Sequence, residues 1–194
     1  MSHAHAYILP VLDEMLRGVP TNARVVDIGC GNGAVTALLA KRFPAITGVD
    51  FSDSGIEQAR RHFPQVRFDR ADVSGEMAEL APGSFDLAVS LEVVEHLYQP
   101  RLFAANCFRL LKPGGRLVVS TPYHGYLKNL VLAATGKMDA HFTALWDCGH
   151  IKFWSEQTLT ELLREPGFSD FEFRGCGRVP YLWKSMLLSC RKPG

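Results

Sequence analysis

The feature that most constrains this fold is a glycine-rich segment between an apolar strand and an apolar helix. Residues 25–33 read VVDIGCGNG, and residues 34–42 have apolar side chains at helical spacing. Glycines let the backbone turn sharply and approach a ligand closely. Free N–H groups at the start of the helix are expected to bind ligand oxygens. The segment therefore predicts an α/β fold with a ligand site at the end of its first strand.

The rest of the chain alternates between short apolar strands and amphipathic helices. Strands are predicted at 24–28, 45–49, 66–68, 85–91 and 116–120, and helices at 6–17, 34–42, 52–62, 101–111 and 155–164. Residues 171–174 and 184–190 look like two final strands that form an antiparallel pair at one sheet edge. This order is typical of a mostly parallel sheet covered by helices on both faces. With 194 residues, the chain is expected to form a single domain over 1–194.

Composition excludes several classes of function. The formal net charge is +1, from 21 basic and 20 acidic side chains, which gives no electrostatic basis for binding nucleic acid. The five cysteines form no CxxC pair and are odd in number, so free thiols are expected rather than disulfides or a zinc ribbon. No signal peptide or membrane-spanning run is recognisable, and a cytoplasmic location is therefore expected.

Three acidic residues sharpen the interpretation of the glycine segment. Asp27 lies at the end of the first strand, Asp50 ends the second, and Asp72 follows the third. Asp50 suits a carboxylate that accepts hydrogen bonds from both ribose hydroxyls, and Asp72 could meet an adenine amino group. Each acid also has a plainer interpretation: Asp27 could cap the local backbone, and Asp72 could be a turn residue.

Taken together, these motifs resemble those of class I methyltransferases over about residues 22–121. The first motif is Asp27 to Gly33, and Gly48 to Ser52 resembles the ribose-binding strand end; 71–73, 85–91 and 110–115 resemble the next three. The resemblance implies a Rossmann-like seven-stranded, mostly parallel sheet with an antiparallel last strand and a helical lid after strand five. It also implies that S-adenosylmethionine binds and that S-adenosylhomocysteine is the product.

The cofactor contacts implied by this resemblance are spread over the ends of four strands and the N-terminal helix. In related enzymes this helix covers the cofactor, so Tyr7 is expected to touch it; a packed amphipathic tyrosine is the alternative. The predicted cofactor-binding residues are Tyr7, Asp27, Gly29, Cys30, Gly31, Asp50, Phe51, Asp72, Val73 and Leu91.

A charged segment follows the fourth strand. Glu92, Glu95 and His96 lie at the carboxyl end of a central strand, where open α/β sheets bind ligands. Glu92 and Glu95 would share a face if they stood on one helical turn. The segment resembles the Glu-x-x-Glu-His of the ubiquinone-biosynthesis O-methyltransferases, which implies a magnesium ion on Glu92, Glu95 and His96. Two alternatives stay open for His96: a general base, or a histidine that hydrogen-bonds within the fold.

Residues 122–154, here called the lid, break the strand–helix pattern and are rich in aromatic and histidine side chains. Leu127, Leu130, Val131 and Ala134 have helical spacing, which predicts a short amphipathic helix. Lids of this kind often cover active sites, and aromatic rings suit a planar or apolar acceptor. The alternatives are that the aromatics pack the lid onto the body, or that the helix contacts a membrane surface. The candidate catalytic residues are His96, His124 and His150.

The sequence thus predicts a methyltransferase that uses S-adenosylmethionine to methylate a small molecule, most simply at oxygen, by direct in-line transfer. The expected acceptor is aromatic or apolar, and the protein is expected to be a monomer or homodimer. The alternative is a non-catalytic subunit that binds S-adenosylmethionine. A nicotinamide dehydrogenase is disfavoured by the order of the five motifs.

Overall fold

The strands of a computed structural model, which describes residues 4–75, 77 and 80–194, form one seven-stranded sheet. They are β1 (Val25–Ile28), β2 (Ile46–Asp50), β3 (Arg67–Arg70), β4 (Phe85–Leu91), β5 (Leu111–Pro122), β6 (Ser169–Cys176) and β7 (Ser185–Arg191). Their order across the sheet is β3-β2-β1-β4-β5-β7-β6. Strand β7 runs antiparallel to both β5 and β6, and the pairs from β3 to β5 are parallel. The predicted topology is confirmed.

Within the described part of the chain, seven α-helices connect and cover these strands. They are α1 (His5–Met15), α2 (Ala34–Ala40), α3 (Asp53–His62), α4 (Pro100–Leu110), α5 (Tyr126–Ala134), α6 (Met138–Phe142) and α7 (Glu156–Arg164). A 3-10 turn, Val94–His96, follows β4. Ser52 caps α3 by accepting from the Gly55 N–H, and Ser155 caps α7 by accepting from the Thr158 N–H. These two predicted helix starts are confirmed.

The sheet separates two apolar layers, as a sheet with helices on both faces requires. One layer packs α4 and α7 on the sheet through Phe103, Leu110 and Leu163, all fully buried. The other packs α1, α2 and α3 on the opposite face through Ile8, Val35 and Ile56, among others. Because β1, β2 and β4 are parallel, their carboxyl ends lie at the same edge of the sheet, between the two layers.

Strand β5 begins earlier than predicted. The sequence Pro113-Gly114-Gly115 predicts a turn before a strand at 116–120, but the strand runs from Leu111 to Pro122. Phe85 pairs with Leu111 and Leu87 pairs with Arg116, so a register shift in β4 accommodates the extra residues of β5 between these two pairs. Among the described residues, no helix has the length and apolar composition needed to cross a membrane.

Candidate functional site

The glycine loop between β1 and α2 is held by its own backbone. The N–H groups of Gly29 and Cys30 donate to the Val49 carbonyl at 2.8 and 3.0 Å, and the Gly33 N–H donates to the Cys30 carbonyl at 2.9 Å. The Gly31 N–H donates to Oδ2 of Asp50 at 2.8 Å. These four loop amides already have protein acceptors, so the expected contact of ligand oxygens with the N–H groups at the start of α2 stays a prediction.

The glycines are instead required for their backbone conformation and their lack of a side chain. Gly29, Gly31 and Gly33 have φ values of +80°, +52° and +77°, which side chains disfavour. A Cβ on Gly29 would collide with Val93, and one on Gly33 would lie 2.6 Å from the Phe68 ring. A Cβ on Gly31 would meet no atom of the described residues within 4 Å. Gly31 thus faces open space at the carboxyl ends of β1 and β2.

Asp50 joins the two strand ends that border this space. Its Oδ2 accepts from Gly31, and its Oδ1 accepts from the Ser52 N–H at 2.8 Å. A carboxylate oxygen has a second lone pair, so each can accept one more hydrogen bond. The side chain is therefore fixed in place and retains the capacity to receive two further donors, as two ribose hydroxyls would supply.

The other two acids have protein partners as well. Asp27 is buried and its Oδ2 accepts from the Thr36 hydroxyl at 2.6 Å; burial raises the pKa of Asp27 to about 6. Asp72 is exposed and its Oδ1 accepts from the Ser74 N–H at 2.8 Å. Asp72 is thus a turn residue, and Asp27 connects β1 to α2 through its hydrogen bond with Thr36. Their contact with a cofactor stays a prediction.

The remaining predicted cofactor residues differ in exposure. Phe51 follows Asp50 directly, and its ring is 64% exposed, an unusual state for a large apolar side chain. Cys30, Val73 and Leu91 are buried around the same strand ends. Tyr7 of α1 is half-buried, with Lys184 Nζ 5.4 Å from its ring centroid. Burial raises the pKa of the Tyr7 hydroxyl, which hydrogen-bonds Ser185.

Glu92 occupies a strained and polar position directly after β4. Its φ is +56°, so it does not stand on a helical turn with Glu95, and that part of the prediction is wrong. Its Oε1 accepts from the Ser120 hydroxyl at 2.8 Å and its Oε2 from the Ser185 hydroxyl at 3.3 Å. Burial raises the pKa of Glu92 to about 7. A magnesium ion on Glu92, Glu95 and His96 does not fit this arrangement, because Glu92 belongs to the serine network.

Glu95 and His96 instead meet His150 from the lid. The ligand atoms of these three residues lie within 4.8 Å of one another. His96 Nδ1 lies 3.1 Å from the Cys148 carbonyl oxygen and 3.2 Å from that of Gly149. This agrees with the alternative in which His96 hydrogen-bonds within the fold, and it ties the lid to the 3-10 turn.

His124 lies at the base of the lid, directly after β5. It is 7% exposed and packs against the rings of His141, Phe142 and Phe153, with centroid distances of 5.0 to 5.8 Å. Burial, with the nearby charge of Lys128, lowers the pKa of His124 to about 4, so the imidazole is neutral at physiological pH. Its Nδ1 is buried and has no hydrogen bond of standard geometry among the described residues, although the Asn129 side chain lies nearby. His124 thus holds a neutral ring nitrogen that is enclosed beneath the lid.

The lid contains α5 and α6, but the apolar stripe of α5 is only partly covered. Leu127, Leu130 and Val131 are 44%, 49% and 39% exposed, while Lys128 is buried and donates to the Tyr123 carbonyl at 2.6 Å. The aromatic side chains divide in the same way: Tyr123 and His124 are buried, and Tyr126 and Trp146 are exposed. The lid thus packs on the body through its first residues and leaves apolar surface outside.

Several residues of this site were missed by sequence reasoning. Thr36, Ser120 and Ser185 orient Asp27 and Glu92, yet a serine or threonine in a strand or helix gives no sequence signal of that kind. The five cysteines, all within the described ranges, are unpaired as predicted, and of these only Cys148 is exposed.

Comparison with known proteins agrees with the motifs. The sequence model of a family described as "Methyltransferase domain" matches residues 2–172. The ubiquinone biosynthesis O-methyltransferase of Pseudomonas aeruginosa is 39% identical over 101 residues, which cover 50% of this chain and 44% of that protein. The enzyme of the same name from Caulobacter vibrioides is 32% identical over 143 residues, covering 72% of this chain and 55% of that protein. The chain thus spans about half the length of the curated relatives it matches.

Solved structures show the same fold. An S-adenosylmethionine-dependent methyltransferase from Mesorhizobium loti superposes with a TM-score of 0.74 and 22% sequence identity, covering 94% of this chain and 96% of that one. At this identity the likeness concerns the fold alone.

Proposed function

The chain belongs to the methyltransferase domain family, and on that premise we propose that it methylates a small aromatic or apolar molecule at oxygen, with S-adenosylmethionine as donor. The observation that carries the proposal is the open space beside Gly31, bordered by the anchored Asp50 carboxylate. A ribose with two hydroxyls fits this carboxylate, and the exposed Phe51 ring offers an apolar surface for the adenine. Asp72, Val73 and Leu91 would complete the contacts.

The proposed acceptor side lies between Glu92 and the lid. Oxygen methylation requires removal of the acceptor's proton, and a base is most effective when its pKa lies near the working pH. Glu92, with a pKa of about 7, meets this condition better than His124, with a pKa of about 4. We assign Glu92 as the proton acceptor and His124 as a hydrogen-bonding group for the acceptor. His96 and His150, which belong to the separate cluster with Glu95, are given no role in transfer.

The transfer itself needs alignment more than covalent help from the protein. The acceptor oxygen bonds the methyl carbon as the carbon–sulfur bond breaks, sulfur keeps the electron pair, and the acceptor's proton passes to Glu92. Correct orientation of the two reactants can supply as much as roughly 7 to 11 kcal/mol of the barrier. The rings of Phe142 and Phe153 beside His124 would give a planar acceptor an aromatic surface to pack against, and Phe153 is 47% exposed.

A transfer assay with methyl-labelled S-adenosylmethionine and a panel of phenols, quinols and sugar alcohols tests this function. Labelled ether formed from a phenol or quinol is the expected product. Transfer to amines alone would overturn the oxygen assignment. Tight binding of S-adenosylmethionine with no transfer to any class would favour the alternative, a non-catalytic subunit.

A further inference from the structure

A buried carboxyl group lies in the cluster formed by Glu95, His96 and His150. Glu95 is 0% exposed, and among the described residues neither carboxyl oxygen has a hydrogen bond of standard geometry, although its own backbone N–H and the Thr121 hydroxyl lie nearby. Burying a polar group without a partner is costly, and native proteins seldom leave one so. Something else is therefore expected to satisfy this carboxylate.

The two histidines are arranged to supply ring nitrogens to the same point. The Cys148 and Gly149 carbonyl oxygens accept from His96 Nδ1, so that nitrogen carries a proton, and Nε2 is the ring nitrogen left for a ligand. A backbone carbonyl on the far nitrogen is the usual way in which proteins orient a metal-binding histidine. His150 Nε2 lies 4.0 Å from Glu95 Oε1, and the two imidazole centroids are 4.9 Å apart.

An ion pair between His150 and Glu95 explains the cluster less well. His150 Nε2 and Glu95 Oε1 are 4.0 Å apart, which is too long for a hydrogen bond. A metal ion bound between the two residues would satisfy both the carboxyl oxygen and the ring nitrogen.

The backbone holds His150 in place. The N–H groups of Ile151 and Lys152 donate to the Glu95 carbonyl oxygen at 2.9 and 3.0 Å. The Trp146 ring lies 5.4 Å from the His150 ring and 6.4 Å from the His96 ring. The cluster is therefore assembled by the fold from two distant segments.

We propose that Glu95, His96 and His150 bind a divalent transition-metal ion, such as Zn²⁺, which joins the lid to the 3-10 turn. Two imidazole nitrogens and one carboxylate oxygen suit such an ion, whereas Mg²⁺ prefers oxygen ligands in an octahedron. Bonds of about 2.0 to 2.2 Å require the ligand atoms to move together by roughly 1 Å, within the reach of side-chain rotation. The site excludes Glu92 and does not depend on the proposed methyl transfer.

The test is calorimetric titration of the untagged, chelator-treated protein with Zn²⁺, and separately with Mg²⁺, followed by Co²⁺ with its visible absorption recorded. One tightly bound Zn²⁺ is expected, with no comparable binding of Mg²⁺ and a Co²⁺ spectrum that shows nitrogen ligands. His150→Ala should weaken Zn²⁺ binding by more than about 100-fold, since loss of an outer partner alone costs 10- to 100-fold. Protease cleavage of the lid should slow when Zn²⁺ is added to the wild type.

Three matched variants distinguish this site from a metal ion held by neighbouring side chains. Glu92→Gln should retain Zn²⁺ binding, which an ion held by Glu92 would not allow. His141→Ala removes a lid histidine outside the cluster, and Cys148→Ser removes the exposed thiol; both should bind like the wild type. Circular dichroism checks folding, and His150→Asn replaces His150→Ala should the latter not fold. Unchanged Zn²⁺ affinity in the folded His150 variant, equal loss in Glu92→Gln, or no binding by the wild type would each overturn the proposal.

Discussion

At the scale of single residues, the site depends on which atoms are already engaged and which remain free. Asp50 uses one lone pair of each oxygen to hold the glycine loop and Ser52, and this fixes it where two more donors can approach. Gly31 lies beside it, and a Cβ added to Gly31 would have no atom of the described residues within 4 Å. The proposed cofactor site therefore depends on the Asp50 carboxylate, which two hydrogen bonds fix in place, and on the open space beside Gly31.

Replacing Gly31 tests this directly. Gly31→Ala places a methyl group in the open space, so S-adenosylmethionine should bind at least about 10-fold more weakly while the protein still folds, as calorimetry and thermal melting would show. Gly83→Ala is the control, because Gly83 has φ +60° and also no described atom within 4 Å, but lies outside the site. Both variants carry the same backbone strain, about 1 kcal/mol. Equal cofactor affinity in the two would contradict the assigned position.

Glu92 governs the pH dependence expected of the reaction. A proton acceptor must be ionised, so kcat/KM should fall as pH drops below about 7, the pKa of Glu92. Glu92→Gln should lower kcat/KM by roughly 100- to 10,000-fold and remove that inflection. An inflection near pH 7 that survives in Glu92→Gln would show that another group accepts the proton.

At the scale of elements, the sheet was predictable and the segments between its strands were less so. Residues 85–91 are nearly all apolar, and β4 has those bounds because a central strand is buried on both faces. The left-handed backbone of Glu92 has no comparable signal, since it results from packing around Ser120 and Ser185. The approach of His150 to Glu95 is tertiary as well, and the spacing of residues along the chain does not encode it.

The start of α2 provides a prediction about packing between elements. A Cβ on Gly33 would lie 2.6 Å from the buried Phe68 ring of β3 and 2.8 Å from Ala59 of α3. Gly33→Ala should therefore lower the free energy of unfolding by about 2 kcal/mol or more, from overpacking and a positive φ. Urea denaturation measures it, with Gly31→Ala as the uncrowded control. Equal stability of the two variants would mean that α2 moves away at little cost.

At the scale of the whole molecule, buried carboxyl groups set the dependence of stability on pH. Burial raises the pKa of Glu95 to about 8 and of Glu92 to about 7, above the ordinary value of 4.5. A folded-state pKa above the unfolded one stabilises the fold fully below the unfolded pKa, and this contribution is lost as pH rises through the folded pKa. The metal-free protein should thus become less stable as pH rises from 6.5 to 8.

Glu95→Gln isolates one part of this dependence. In the presence of a chelator, the free energy of unfolding of the variant should decline less steeply over pH 6.5 to 8 than that of the wild type, with Glu92 still contributing. Chemical denaturation at several pH values measures the two slopes. Parallel slopes would show that Glu95 is ionised throughout the range or has a partner.

The most direct measurement is calorimetric titration of the folded wild-type protein with S-adenosylmethionine and, in parallel, with NADH. We predict saturable binding of one S-adenosylmethionine per chain in the micromolar range, and no binding of NADH. Failure of S-adenosylmethionine to bind the folded protein would contradict the assignment of the space beside Gly31 and Asp50, and with it the proposed function.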